Sequence, residues 1–265
     1  KLAETLELAY TLVGMNTSKP PFDNPKVRQA IAHAIPVDQI IANGYFGQAA
    51  AWKGMIPSSY PGFAATADYA YDPDKARALL AEAGYPEGKG LEAFGAAFAL
   101  SYVAEKESTL GPIVNIIQTA LRDVGIPVTL DPIPQTQYGD RQLVKRDLPF
   151  AVNDQEKPIG VDAGYATQLF FVSPEKGGLN NMVNYRNTAL DDAWAKAVEQ
   201  NLMYVVRMAR GVVPHMIARG GGSILNISSI AALRAAPSAN LAMIVSGSCA
   251  AQLVSPSYCR PTEDA

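Results

Sequence analysis

The chain has 265 residues, 48% of them hydrophobic and 18% charged, which is apolar material for one sizeable core or two small ones. A formal net charge of −3 leaves no basic footprint for nucleic acid and no polybasic patch for a membrane, and no apolar run is long enough to span a bilayer. Nothing at Lys1 resembles a signal peptide, and both cysteines, Cys249 and Cys259, stand near the carboxyl end, so the body of the chain carries no disulfide framework.

In chain order, the apolar run LELAYTLVGMNT (Leu6 to Thr17) reads as a strand and ends at SKPPFDNP, where prolines and an Asp-Asn pair forbid regular structure. From Lys26 the residues Val27, Ala30, Ile31, Ala34 and Ile35 recur at helical spacing, Pro36 breaks the pattern, and Val37 to Ala42 restarts it. Gly44 to Phe63, rich in Gly, Pro and aromatics, is a packed loop. Asp72 then caps a helix with Pro73 at its first position, a stripe of Ala76, Leu79, Leu80 and Ala83, and Gly84 as its stop; Leu79 is the expected core anchor. A strand follows near Ala96 to Leu100, then a helix from Gly111 to Val124 closed by Gly125, and a strand from Ile126 to Ile133. A short helix around Gln137 to Val144, a strand near Leu148 to Asn153, and a helix beginning at Thr188 as cap continue this α/β grammar.

Three stretches, NTSKPPFDNPKVRQAIAHAI, AYDPDKARALLAEAGYP and MVNYRNTALDDAWAKAV, resemble the solute-binding proteins of ABC importers for dipeptides, oligopeptides, glutathione or nickel, and together span roughly Leu8 to Gln200. Pro36 stands where that family usually has Asp, a change that a helix start tolerates. The resemblance implies the carboxyl-terminal lobe of a type II periplasmic-binding-protein fold, the larger amino-terminal lobe having no counterpart in the matched stretches. Half a cleft buries little ligand surface, so weak binding of a peptide-like or other small solute is the expectation. The resemblance places an acidic and aromatic segment at the cleft, where Asp154, Asp162 and Tyr165 are the ligand-binding candidates and a carboxylate can pair with a ligand ammonium. The structural alternative is that Asp162 caps a loop and Tyr165 fills core. The family also implies a periplasmic location.

From Asn201 the chain resembles a different family. NLMYVVRMARGVVPHMIARGGGSILNISSIAALRAAP is similar to the middle of a short-chain dehydrogenase/reductase, with Asn201 on the helix asparagine and Ser229 on the catalytic serine. The Tyr and Lys that should follow are replaced by Ala242 and Ser246, and no Gly-x-x-x-Gly-x-Gly loop precedes them, so hydride chemistry and NAD(P)H binding are not expected. The domains are therefore read as a solute-binding lobe over residues 1–200, a helix-turn-strand segment of dehydrogenase origin over 201–243, and an irregular tail over 244–265. The borrowed helix, with Val205, Met208, Val212 and Met216, is expected to cover the lobe's sheet.

A second function is a serine-dependent hydrolase of small esters, using His215 or His33 as base and Ser228, Ser229 or Ser248 as nucleophile. SGSCA around Ser248 matches the nucleophile elbow only in part, and Ser173 to Lys176 reads Ser-x-x-Lys without a companion motif. A third reading is a chimera without selected function. No HExxH or CxxC is present, so neither metal nor organic cofactor is expected. The expected partners are a small-molecule or peptide solute, and a second copy through the exposed cleft face, with no nucleic acid and no membrane.

Overall fold

The computed structural model describes residues 10–51, 53, 69–155, 168, 170–178, 180–220, 222–225 and 251–254. Strand β1 (Tyr10–Met15) leads through a turn to helix α1 (Pro25–Ala34), whose start is fixed by the Asn24 carboxamide accepting from the Lys26 N–H at 2.9 Å. Pro36 separates α1 from α2 (Val37–Gly44), as the broken periodicity requires. Helix α3 (Pro73–Glu82) has Asp72 as its cap, accepting from the Lys75 N–H at 2.9 Å, and stops before Gly84, which has φ +94°. Of its apolar stripe, Ala76 and Leu80 are buried against α1, whereas Leu79 lies only half-buried at the margin.

Strand β2 (Ala99–Val103) begins later than its apolar run suggests, because residues 91–98 coil into 3₁₀ turns that seat Phe98 edge-on against Phe22 at 5.4 Å. Helix α4 (Glu107–Asp123) starts one turn before the Gly111-Pro112 pair, which therefore sits inside the helix. Strand β3 (Thr129–Ile133), helix α5 (Gln135–Gly139) with a wider-pitched turn to Lys145, and strand β4 (Phe150–Gln155) complete a sheet of order β1-β4-β2-β3. β2 runs parallel to β3 and β4, and β1 is antiparallel to β4.

Alternation along the strands gives the sheet two apolar faces. Leu100, Phe150 and Val152 pack beneath α1, α3 and α4 with Phe22, Ile31, Leu80 and Ile117, while Val103, Ile133, Leu148 and Ala151 face Tyr138 of α5. A sheet covered on both faces must keep its polar chemistry at its edges and strand ends.

Helix α6 (Thr188–Val198) is capped by Asn187, whose carboxamide accepts from the Leu190 N–H at 3.1 Å; Thr188, the cap expected from sequence, is instead the first helical residue. A π-type turn (Glu199–Met203) carries α6 without a break into α7 (Tyr204–Ala218), so residues 188–218 form one helical rod. The expected covering of the sheet by α7 does not occur: Met208 is 50% and Val212 41% exposed, and only Met216 is buried. The side chain of Val205 lies outside the described residues. Beyond α7, β5 (Gly222–Leu225) pairs antiparallel with β6 (Ala251–Val254) in a separate two-stranded sheet.

Candidate functional site

The carboxyl ends of β2, β3 and β4 share one edge with the amino end of β1, because β1 alone runs the other way. In sheets with parallel strands this is the edge where side chains from several strands converge on open space. Asp154, near the end of β4, is the register partner of Thr11 in β1. Its Oδ1 accepts from the Thr11 hydroxyl at 3.3 Å, and its Oδ2 receives the Lys106 ammonium at 3.0 Å. Thr11 in turn shares a short hydrogen bond with the hydroxyl of Tyr45, which stands just past α2.

Lys106 immediately precedes α4, so the positive end of that helix and the lysine ammonium face the same edge. The Lys106 and Asp154 side chains are 24% and 23% exposed: water reaches them, but much of their hydration is gone. Burial pushes the Tyr45 phenol above its ordinary pKa and the Asp154 charge adds to this, against the opposing hydrogen bond from Thr11 and the charge of Lys106. Beside the pair lies a cavity of about 340 Å³, walled by Tyr45, Lys106 and Asp154, by Glu105, whose carboxylate accepts from the Gln135 N–H at 2.8 Å, by the Ser108 and Thr109 residues of α4's first turn, and by apolar Leu110 and Ile113. It combines one cation, two carboxylates, hydroxyl groups and an apolar floor, the make-up of a small-solute site.

Of the ligand candidates read from sequence, Asp154 stands at this edge, whereas Asp162 and Tyr165 lie outside the described residues. Sequence reasoning missed Lys106, Thr11 and Tyr45. The signal that could have found Lys106 is a charged residue just beyond a buried parallel strand and directly before a long helix; Thr11 and Tyr45 become visible only once β1 is paired with β4.

The hydrolase candidates fare differently. His33 is buried, its Nδ1 is 2.8 Å from the Ala70 carbonyl, and its ring packs edge-on against Tyr69, so it fastens α1 to the segment ahead of α3. His215 is exposed on α7. Ser228, Ser229 and Ser248 lie outside the described residues. Ser173, first in the Ser-x-x-Lys run, is buried with its hydroxyl donating to Asp191 Oδ2 at 2.7 Å and its N–H donating to Oδ1 at 2.9 Å, a bracket that ties α6 to the lobe. Asn181 completes the bracket by donating to the Val172 and Tyr185 carbonyls at 3.0 and 2.7 Å.

The hydrogen bonds from the Ser173 hydroxyl and N–H hold the Asp191 carboxyl below its ordinary pKa. Asp191→Ala should therefore cost about 1–3 kcal/mol at neutral pH, since two donors lose their acceptor. Because the folded-state pKa is the lower one, this contribution is fully present above the unfolded carboxyl pKa and disappears as pH falls through the folded value. Urea unfolding at pH 7 and at acid pH checks both points: the gap between wild type and variant should narrow in acid, and a constant gap would rule out ionisation as its source.

Comparison with known proteins places these features. Residues 2–175 match the model of the bacterial extracellular solute-binding proteins, family 5 (middle), and residues 175–241 match that of the short chain dehydrogenases. The glutathione-binding protein GsiB of Escherichia coli (strain K12) is 30% identical over 193 residues, which are 71% of this chain and 36% of that protein. GsiB of Pectobacterium atrosepticum is 35% identical over 128 residues, 48% of this chain and 23% of its own. Among solved structures, the ABC transporter-associated periplasmic binding protein DppA of Helicobacter pylori, in complex with the peptide STSA, superposes with TM-score 0.57 and 26% identity over 71% of this chain and 35% of that chain. The oligopeptide-binding protein AppA of Bacillus subtilis, in complex with a nonapeptide, gives TM-score 0.59 at 23% identity over 73% of this chain and 39% of that one. The chain thus spans little more than a third of these relatives at most, and its α/β architecture is that of the type II periplasmic binding proteins.

Proposed function

Because this chain belongs to the bacterial extracellular solute-binding proteins of family 5, we propose that residues 1–200 form a solute-binding lobe that takes a small, zwitterionic, peptide-like solute at the Lys106–Asp154 edge. The observation that carries the reading is the ion pair itself. A ligand ammonium can replace Lys106 on the Asp154 carboxylate while the ligand carboxylate takes up the released Lys106, so a zwitterion exchanges one matched pair for two and leaves no charge alone. Ser108 and Thr109 offer hydroxyls for a peptide backbone, and Leu110 with Ile113 an apolar wall for its side chain. Relatives named for glutathione and for peptides support this chemical class. A cavity open on one side buries only part of such a ligand, so binding is weak, in the range of about 0.1–10 mM.

The boundary near residue 200 has its own support. Residues 173–191 are laced into the lobe: the Thr17 N–H donates to the Val183 carbonyl at 2.8 Å, Asn184 donates to Asn16 Oδ1 at 3.2 Å, and Asp191 brackets Ser173. Among the described residues, the exposed side chains of α7 reach back only through Arg207 to Glu199 in the turn just before the helix, which fits a segment of dehydrogenase origin over residues 201–243, followed by the tail over 244–265.

Titration calorimetry with a dipeptide and with glutathione tests the proposal. Asp154→Ala should weaken binding by about tenfold to a hundredfold, the worth of one charge-assisted hydrogen bond, with an unchanged circular dichroism spectrum. Equal affinity of wild type and variant, or no heat with either ligand at 10 mM or so, would refute it.

A further inference from the structure

Charge is distributed unevenly along this chain. Between residues 200 and 262 stand five arginines and no Asp, Glu or Lys, although the whole chain carries a net −3. Averaging over the chain therefore hides a basic segment attached to an acidic lobe, and the net negative charge that disfavours a membrane surface belongs to the lobe alone. Helix α7 and the residue that ends it hold three of the five, Arg207, Arg210 and Arg219. Arg207 pairs back to Glu199, while Arg210 and Arg219 extend into water.

The same helix leaves apolar side chains in solvent. Tyr204, Met208 and Val212 are 58%, 50% and 41% exposed and follow one another at four-residue intervals, which puts them in a single row along the helix. Arg207 stands one turn from Tyr204 and Arg219 two turns from Val212, so cations flank the row toward both ends. Ile217, also half exposed, lies off the row.

The geometry points to α7 as an interfacial helix that lies on an anionic phospholipid surface. Tyr204, Met208 and Val212 enter the boundary between headgroups and acyl chains, and Arg219, in line with the row, lays its stem along the apolar surface while its guanidinium group reaches a lipid phosphate; Arg210, two residues from Met208 and so on the opposite side of the helix, adds only longer-range attraction. A fluid, planar, anionic surface requires no shape match, and an apolar row flanked by arginines fits it without one. An acidic protein would need a groove matched to three side chains with an arginine at either end.

Co-sedimentation of the full chain with vesicles of phosphatidylglycerol and phosphatidylcholine, against vesicles of phosphatidylcholine alone, provides the test. Binding is expected to the anionic vesicles at low ionic strength and to fall steeply as salt is raised. Arg219→Gln should lower the partition coefficient about fivefold and Arg210→Gln by less, and Met208→Asp or Val212→Asp, at positions exposed enough to leave the fold intact, should lower it several-fold at unchanged salt. No binding to anionic vesicles overturns the inference. So does binding that ignores Met208→Asp and Val212→Asp alike, or equal retention on soluble poly-glutamate, because either shows generic charge attraction without insertion. Ligand titration of the same variants should match wild type, which keeps this inference separate from the solute site.

Discussion

Leu80→Ala should lower the unfolding free energy by about 3–5 kcal/mol, the upper range for a leucine deleted from a close-packed core. Leu80 has no exposed surface and lies on the buried face of α3, which packs against α1, in the core cluster that also holds Val27, Ala30, Ile31, Phe98 and Leu100. A fully enclosed site in a close-packed core cannot collapse freely, so the cavity remains. Leu79→Ala is the internal control. It lies half-buried at the margin of the same helix, where water fills the vacated space, and should cost about 1 kcal/mol. Urea unfolding followed by circular dichroism checks both, and equal losses would mean that α3 is rotated from the position described.

Gly88→Ala should be of comparable severity, about 3–5 kcal/mol, for a different reason. The backbone at Gly88 has φ +77°, and a β-carbon there would lie 2.0 Å from the carbonyl oxygen of Gly125 and 2.6 Å from its carbonyl carbon. Gly125 is held reciprocally, its own β-carbon position lying 2.6 Å from the Glu87 carbonyl oxygen. Two backbones meet here without side chains between them, and neither can yield without moving the loop before β3 or the one before β2. Gly84→Ala separates the two contributions: φ is +94°, yet no atom lies within 4 Å of the added carbon, so only the conformational cost of about 1 kcal/mol remains. A Gly88 variant no worse than Gly84→Ala would show that the close approach relaxes freely.

Helices were legible where local chemistry specifies them. Asp72-Pro73 before an apolar stripe and Gly84 after it bound α3 as read, and Pro36 divides α1 from α2. The misreadings are local as well. Gly111-Pro112 looks like a helix start because both residues disfavour helix interiors, but α4 is carried through them by the packing of Leu110, Ile113 and Ile117 on the sheet. Asn187 displaced Thr188 as the cap of α6 because its carboxamide reaches the Leu190 N–H. The spacing of the apolar residues of α7 predicts a core face, but spacing cannot say whether another surface is there to receive them.

By itself the sequence determined the α/β class, the kinship of two unlike stretches, and Asp154 as a candidate. All of these rest on residue identity or on intervals of a few positions, which survive without knowledge of what lies across the fold. Tertiary structure alone decided that Asp154 meets Lys106 across 48 positions and Thr11 across 143, that His33 is a fastening for the Ala70 carbonyl, and that Ser173 is held by Asp191. Those contacts depend on strand order and on the antiparallel setting of β1 against β4, which follow from burying both faces of one sheet at once.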